Sequence, residues 1–229
     1  MKTEPQQGFT TANMARRSFL RYAGIGVTSV GVLSTSACRK DHNVTPRNGV
    51  DVGSGDFGIL NYAYALEQLE AAFYIQVVKT PYSGMSDKEK GYLTAIRDHE
   101  VAHREFFKAA LSSKAIKELT VDFKSINFDS RSSVLATAKA FEDLGVTAYD
   151  GAGYLISNPA YLTIAGKIVS VEARHAALIR ELLEPGSFAG ADQVDNMGLN
   201  KSNEIKDVLP IANTYLTTKV SASSFGYIA

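Results

Sequence analysis

Residues 98–107 read DHEVAHREFF, and within them Glu100 and His103 lie three residues apart. In an α-helix this spacing puts both side chains on one face. Apolar residues at the same helical spacing, Ile96 before the pair and Phe107 after it, extend that face. The stretch therefore predicts a helix whose buried face carries a carboxylate and an imidazole.

The same pattern recurs near the end of the predicted helical region. Residues 171–183 read VEARHAALIRELL, in which Glu172 and His175 lie on the apolar stripe. Two further segments each place Glu-x6-Tyr on their apolar stripe. These pairs are Glu67 with Tyr74 and Glu142 with Tyr149. The chain thus contains two related halves, each with Glu-x6-Tyr followed by Glu-x-x-His.

Four segments have helical periodicity, and two of them begin with recognisable caps. The helices are predicted over residues 56–79, 87–113, 132–155 and 159–183. Ser86-x-x-Glu89 is typical of a capping box, and Asn158 followed by Pro159 is typical of a helix start. Short links within each pair and a longer link over 113–131 predict an all-α antiparallel four-helix bundle with one long crossover between two helical hairpins. Its four glutamates are expected at nearly one level.

The flanking segments are interpreted from composition. The bundle is expected to occupy residues 56–184, and residues 185–229 to form an extension that packs on it and contains a short helix near 203–216. Within the crossover, LTVDF at 119–123 alternates like a strand. Because no partner strand is evident, we interpret it as an extended linker.

The first 37 residues have the composition of an export signal. A basic stretch, ARRSFLR at 15–21, is followed by an apolar, glycine-rich run and then by small residues. The pair Arg16 and Arg17 resembles the twin-arginine signal, whose pathway exports folded proteins. We therefore expect residues 1–37 to direct export across the bacterial inner membrane.

The single cysteine, Cys38, lies where this signal would end. Its position resembles the lipid-attachment site of bacterial lipoproteins, although Thr35 stands where that family usually has leucine. A lipid anchor and a free thiol both stay open, and the anchor is the only membrane contact that we expect. Residues 38–55 are polar with Pro and Gly, which predicts a flexible tether. The mature protein is expected in the periplasm or attached to the cell envelope.

The glutamates on the apolar stripes need charge compensation. Burying an unpaired carboxylate costs about several kcal/mol, even after the surrounding protein has relaxed. No Lys or Arg lies on these stripes at the level of the glutamates. Multivalent cations are the available compensation, and four carboxylates with two imidazoles suit two metal ions.

This pattern resembles the ferritin-like di-iron carboxylate family, in which two helices each give a Glu and two each give Glu-x-x-His. LEQLEAAFY and VEARHAALIRELL also resemble an exported branch labelled desiccation-related. The resemblance covers about residues 56–183 and implies two iron ions, or iron and manganese, bridged by Glu100 and Glu172. The implied metal ligands are Glu67, Glu100, His103, Glu142, Glu172 and His175.

Four more polar residues lie beside these ligands. They are Glu70, Tyr74, His99 and Tyr149. The repeat does not support Glu70 as a ligand, because its counterpart is Gly145. His99 is interpreted as a hydrogen-bond partner or a partly exposed side chain. The tyrosines are expected to bond through their hydroxyls, with a redox role left open.

The resemblance implies redox chemistry with oxygen, peroxide or ferrous iron, of ferroxidase or peroxidase type, in stress protection. The catalytic residues, the substrate and the oligomeric state are left open. Without Cys pairs after the bundle, an electron donor would be another molecule. The zero net charge and the lack of basic runs argue against nucleic-acid binding.

Two other functions are alternatives to a di-metal site. One is a metal-free ferritin-like scaffold that acts as a stress or interaction protein. The other is a zinc metalloprotease, because residues 99–103 fit H-E-x-x-H. The protease needs a third ligand and an open cleft, and it leaves Glu172 and His175 unexplained.

Overall fold

The fold is a bundle of four long helices, seen in a computed structural model that describes residues 49–229. The predicted export signal, Cys38 and most of the predicted tether lie outside this range. The helices are α1 (Gly55–Lys79), α2 (Asp87–Leu111), α3 (Arg131–Gly153) and α4 (Pro159–Leu183). α1 packs along α2, α3 packs along α4, and α1 also contacts α3. The predicted bundle of two hairpins with one long crossover is confirmed.

Both predicted helix caps are present. The Ser86 hydroxyl accepts a hydrogen bond from the Glu89 backbone N–H, and the Glu89 carboxylate accepts one from the Ser86 backbone N–H. At the start of α4 the Asn158 side chain accepts from Ala160 N–H at 2.9 Å, with Pro159 in the first turn. These caps fix where α2 and α4 begin.

The crossover of residues 112–130 is packed against the bundle. Leu119 and Ile126 are buried, and Val121 forms an antiparallel bridge with Leu216. The alternating segment at 119–123 therefore pairs with residues around Leu216, and the interpretation as an unpaired linker is wrong in that respect. The partner comes from the far end of the chain, so local periodicity could not reveal it.

The C-terminal extension returns to the start of the described chain. It contains the short helix α5 (Ile205–Ala212) and the strand β2 (Lys219–Ser221), which pairs in parallel with β1 (Gly49–Asp51). The strand β1 lies in the segment for which the sequence predicts a flexible tether. No helix within residues 49–229 is both long and apolar enough to cross a membrane.

A close approach fastens this extension to α3. The backbone N–H of Asn203 donates to the Thr147 carbonyl at 2.9 Å. A Cβ at Gly151 would lie 1.9 Å from the Asn203 carbonyl oxygen. The extension can pack there only because residue 151 is glycine.

An ion-pair network around the buried Arg180 also connects the extension to the bundle. The Arg180 guanidinium on α4 donates to both oxygens of Asp143 on α3, each at 2.7 Å. It also donates to Asp192 of the extension at 2.7 and 3.0 Å. Asp143 directly follows Glu142, so this network holds α3 against α4 beside a predicted ligand. Neither sequence spacing nor periodicity indicated it.

The apolar core forms two clusters, of which the larger extends to both sides of the glutamate level and the smaller lies on one side of it. The larger contains the aromatic rings of Phe73, Tyr74 and Phe141, packed edge to face. The smaller includes Phe107 and Tyr149. The glutamates therefore lie in the middle of a water-excluding interior.

Candidate metal centre

Each of the four long helices contributes one carboxylate to the bundle interior. They are Glu67 on α1, Glu100 on α2, Glu142 on α3 and Glu172 on α4, and none is more than 1% exposed. Their positions follow from the helical stripes, since each lies among apolar residues that face the other helices.

The carboxylates and two histidines form two overlapping groups, in each of which the ligand atoms lie within 4.8 Å of one another. The first group is Glu67, Glu100, His103 and Glu172. The second group is Glu100, Glu142, Glu172 and His175. Glu100 and Glu172 belong to both groups, which is where ligands shared by two ions must lie. The structure thus brings all six predicted ligands together.

The two imidazoles point the same nitrogen towards the carboxylates. His103 Nδ1 lies 2.7 Å from Glu172 Oε1 and 3.5 Å from Glu67 Oε2. His175 Nδ1 lies 2.9 Å from Glu100 Oε1 and 3.5 Å from Glu142 Oε2. Each histidine therefore contacts the Glu-x-x-His glutamate of the other half and the Glu-x6-Tyr glutamate of its own half.

Most of these close contacts lack hydrogen-bond geometry. Although the His103–Glu172 distance is short, neither His103 Nδ1 nor Glu172 Oε1 has a hydrogen-bond partner in the described chain. The same holds for Glu67 Oε2, Glu142 Oε2 and both oxygens of Glu100. Buried polar atoms are rarely left without partners. Their lone pairs face a common space, as metal ligands do, so these residues fit two cations.

Charge supports the same conclusion. The four carboxylates carry a formal charge of −4 when ionised, which the +4 of two divalent ions would neutralise. Carboxylate oxygens and imidazole nitrogens are donors that suit iron and manganese. The donor set therefore fits a pair of such ions in number, type and charge.

In the metal-free protein, protons partly take the place of cations. Burial, and then the charge of Glu172, raise the pKa of Glu100 well above its ordinary range. Burial lowers the pKa of His103 and His175, but their carboxylate neighbours outweigh it and raise these pKa values to about 11 and about 12. Burial would raise the pKa of Glu172, yet the two imidazoles beside it, His103 and His175, lower it to about 2. Both imidazoles are thus cationic until a metal ion displaces their protons.

Two tyrosines hold the outer carboxylates from across the bundle. The Tyr74 hydroxyl on α1 donates to Glu142 Oε1 on α3 at 2.5 Å. The Tyr149 hydroxyl on α3 donates to Glu67 Oε1 on α1. Each bond occupies one oxygen and leaves Oε2 facing the centre. The tyrosines therefore orient Glu67 and Glu142.

His99 contacts the centre through His175. Its Nδ1 lies 2.8 Å from His175 Nε2, and the two rings are stacked with centroids 5.1 Å apart. His99 is in neither ligand group and is exposed on its outer side. For His175 Nδ1 to offer its lone pair to a metal ion, the His175 proton must lie on Nε2, where His99 Nδ1 accepts it.

Glu70 lies beside the centre but outside both ligand groups. It is 5% exposed, and burial followed by the charge of Glu100 raises its pKa well above the ordinary range. A Cβ at Gly145 would lie 2.9 Å from Glu70 Oε1. The glycine at the position related by the repeat therefore leaves space for this carboxylate.

A zinc protease site built on H-E-x-x-H would place these residues differently from the structure. A zinc protease would direct His99 and His103 to one ion, with the glutamate free to activate water. Here His99 Nδ1 bonds His175, and Glu100 is buried between the two ligand groups. The geometry does not favour the protease.

Comparison with known families agrees with the fold. The family model described as Ferritin-like domain matches residues 55–185, more than half of the chain. The match begins at the first residue of α1 and ends just beyond α4, and it includes all six residues of the two groups. Comparison with curated proteins finds no match.

Proposed function

This chain belongs to the ferritin-like domain family, and we propose that it binds two metal ions, iron or iron with manganese, for redox chemistry with oxygen, peroxide or ferrous iron. One observation carries the proposal: buried carboxylate oxygens without hydrogen-bond partners converge in two groups that share Glu100 and Glu172. A buried cluster of this kind is costly without cations.

The residues divide naturally between the two ions. Glu67 and His103 would hold one, Glu142 and His175 the other, and Glu100 and Glu172 both. Two ferrous ions held together supply two electrons, which suffice to reduce dioxygen to hydrogen peroxide or hydrogen peroxide to water. The chain's own residues exclude bulk water and orient the ligands, and the imidazoles must give up a proton each before their Nδ1 atoms can bind.

The place of action is proposed from the sequence. The signal-like residues 1–37 and the position of Cys38 support export to the periplasm or the envelope, in the desiccation-related branch. Cell fractionation of the wild type and of a double Arg16→Lys, Arg17→Lys variant tests export. Retention of the variant in the cytoplasm is expected, and unchanged export would contradict the twin-arginine assignment.

A metal-free scaffold has one observation in its favour. Cationic His103 and His175 already neutralise part of the carboxylate charge. Such a protein would act through binding, as a stress or interaction protein. It differs from the first proposal in metal content.

Metal analysis of the full chain, purified without chelator, separates these functions. We expect about two iron or manganese ions per chain by mass spectrometry, because the donor atoms form two groups. The Glu100→Ala, His175→Ala double variant should lose both, while Glu105→Ala, on the same helix but in neither ligand group, should retain them. Full metal content in the double variant refutes the site. One zinc ion per chain would favour the protease, and no metal after anaerobic addition of ferrous iron would favour the scaffold.

A further inference from the structure

An apolar cavity lies inside the bundle on one side of the carboxylates. Residues from all four helices line it, among them Leu66, Phe107, Tyr149 and Ala165. It offers about 20 Å³ to the centre of a water-sized molecule. A single water needs about 10–15 Å³ by this measure, so the cavity can hold one very small molecule.

Tyr149 separates this cavity from the candidate metal centre. Its ring lines the cavity, and its hydroxyl donates to Glu67. The related tyrosine, Tyr74, instead lies in the aromatic cluster, with its ring centroid 5.0 Å from that of Phe73. The two halves of the centre therefore differ, and the cavity lies one side chain away from a ligand of the first ion.

The cavity borders a groove on the surface of α3 and α4. Three residues line both: Tyr149, Gly153 and Ala165. The groove has a volume of about 330 Å³, and its wall includes the exposed apolar side chain of Leu162. Two of these three residues, Gly153 and Ala165, are small and add little side-chain bulk between the two spaces.

The cavity wall selects against polar molecules. Its surface is almost entirely apolar, and the Tyr149 hydroxyl is already bonded to Glu67. Hydrogen peroxide or a hydrated metal ion would lose hydrogen bonds on entering. Small apolar cavities stay dry and take up apolar ligands such as xenon. The hydroxyl of Tyr62, which also lines the cavity, is buried without a partner, so an ordered water is the competing occupant.

We propose that this cavity admits dioxygen to the metal centre from the groove between α3 and α4. The inference rests on the proposed function for its consequence, since it names dioxygen as the reactant taken on this side. Binding of the gas depends only on the cavity, and it can be measured without metal.

The test uses xenon and the full, metal-free chain. We expect xenon density beside Tyr149 in a crystal pressurised with xenon. Ala165→Phe, which fills the space between groove and cavity, should lose it, as should the smaller filling Ala165→Leu if the first variant does not fold. The matched control Thr163→Phe adds the same ring on the exposed face of α4 and should keep it. An ordered water in place of xenon overturns the proposal. Xenon binding in the Ala165 variant that equals binding in Thr163→Phe also overturns it.

A second readout connects the cavity to the reaction. In the iron-loaded protein, Ala165→Phe should slow oxidation by dioxygen, while metal stoichiometry and oxidation by hydrogen peroxide stay as in Thr163→Phe. Equal slowing with both oxidants would overturn the selective route. If xenon binds but no metal does, the proposed function fails while the cavity site stands. If metal binds but xenon does not, only the present inference fails.

Discussion

Replacing His99 by alanine tests how the centre is oriented. The change removes the 2.8 Å hydrogen bond to His175 Nε2 and the stacked ring. Loss of such a partner of a metal-bound histidine costs about 10- to 100-fold in metal affinity. Because His99 is exposed, water can replace part of the bond, so we expect about tenfold, or about 1.4 kcal/mol. Only the group that contains His175 should be affected.

The assay is a stepwise anaerobic titration of the metal-free protein with ferrous iron or Mn²⁺. The wild type should show two binding steps, and His99→Ala should weaken one of them. His99→Asn keeps an acceptor oxygen near the position of Nδ1 and should recover most of the loss. Lys108→Ala, an exposed change on the same helix, is the control for indirect effects.

Two results would refute this reasoning. Unchanged affinity for both ions would show that the His99–His175 contact does not orient the ligand. Equal weakening of both steps, with His99→Asn no better than alanine, would indicate a general loss of α2 packing.

In the zinc-loaded protein, the ring ¹⁵N shifts of His175 should also place its proton on Nε2.

Three further predictions concern stability. The folded-state pKa values of His103 and His175, about 11 and about 12, lie above the ordinary 6.5, so their stabilisation is complete below pH 6.5 and is lost as the pH rises towards 11–12. Denaturant unfolding of the metal-free chain should therefore give a lower free energy at pH 9 than at pH 6, and equal values would contradict the shifts. Glu100→Gln should raise the melting temperature of the metal-free chain at pH 8, because a buried carboxyl with a raised pKa destabilises the fold above its unfolded pKa. The same change should lower metal affinity. A lower melting temperature would argue against a cost of burying the ionised Glu100. Gly151→Ala should cost about 1–3 kcal/mol by displacing Asn203. Faster proteolysis within residues 185–204 is expected to accompany it, and an unchanged digest would argue against this contact.

The candidate site could be located from sequence because helix geometry is local. Spacings of three and four residues place Glu100 with His103, and Glu172 with His175, on one face regardless of the rest of the chain. The caps at Ser86 and Asn158 start α2 and α4 the same number of residues before these pairs. Two hairpins with matched helix lengths then bring the carboxylates to one level.

The contacts around the ligands could not be predicted in this way. Whether Tyr149 bonds Glu67 depends on the rotation and separation of α1 and α3. The contact of His99 with His175 likewise depends on how α2 and α4 pack. Such pairs leave no periodic signal.

The sequence by itself determined the helices, the buried stripes and the types of donor atom that the stripes carry, because these follow from backbone periodicity and the cost of burying charge. Only the tertiary structure decided the rest: the distances that bring the six ligands into two groups, the space that Gly145 leaves for Glu70, and the cavity beside Tyr149. These features depend on how side chains from distant positions fill the volume between helices. That volume is set by packing in three dimensions, which no single helix encodes.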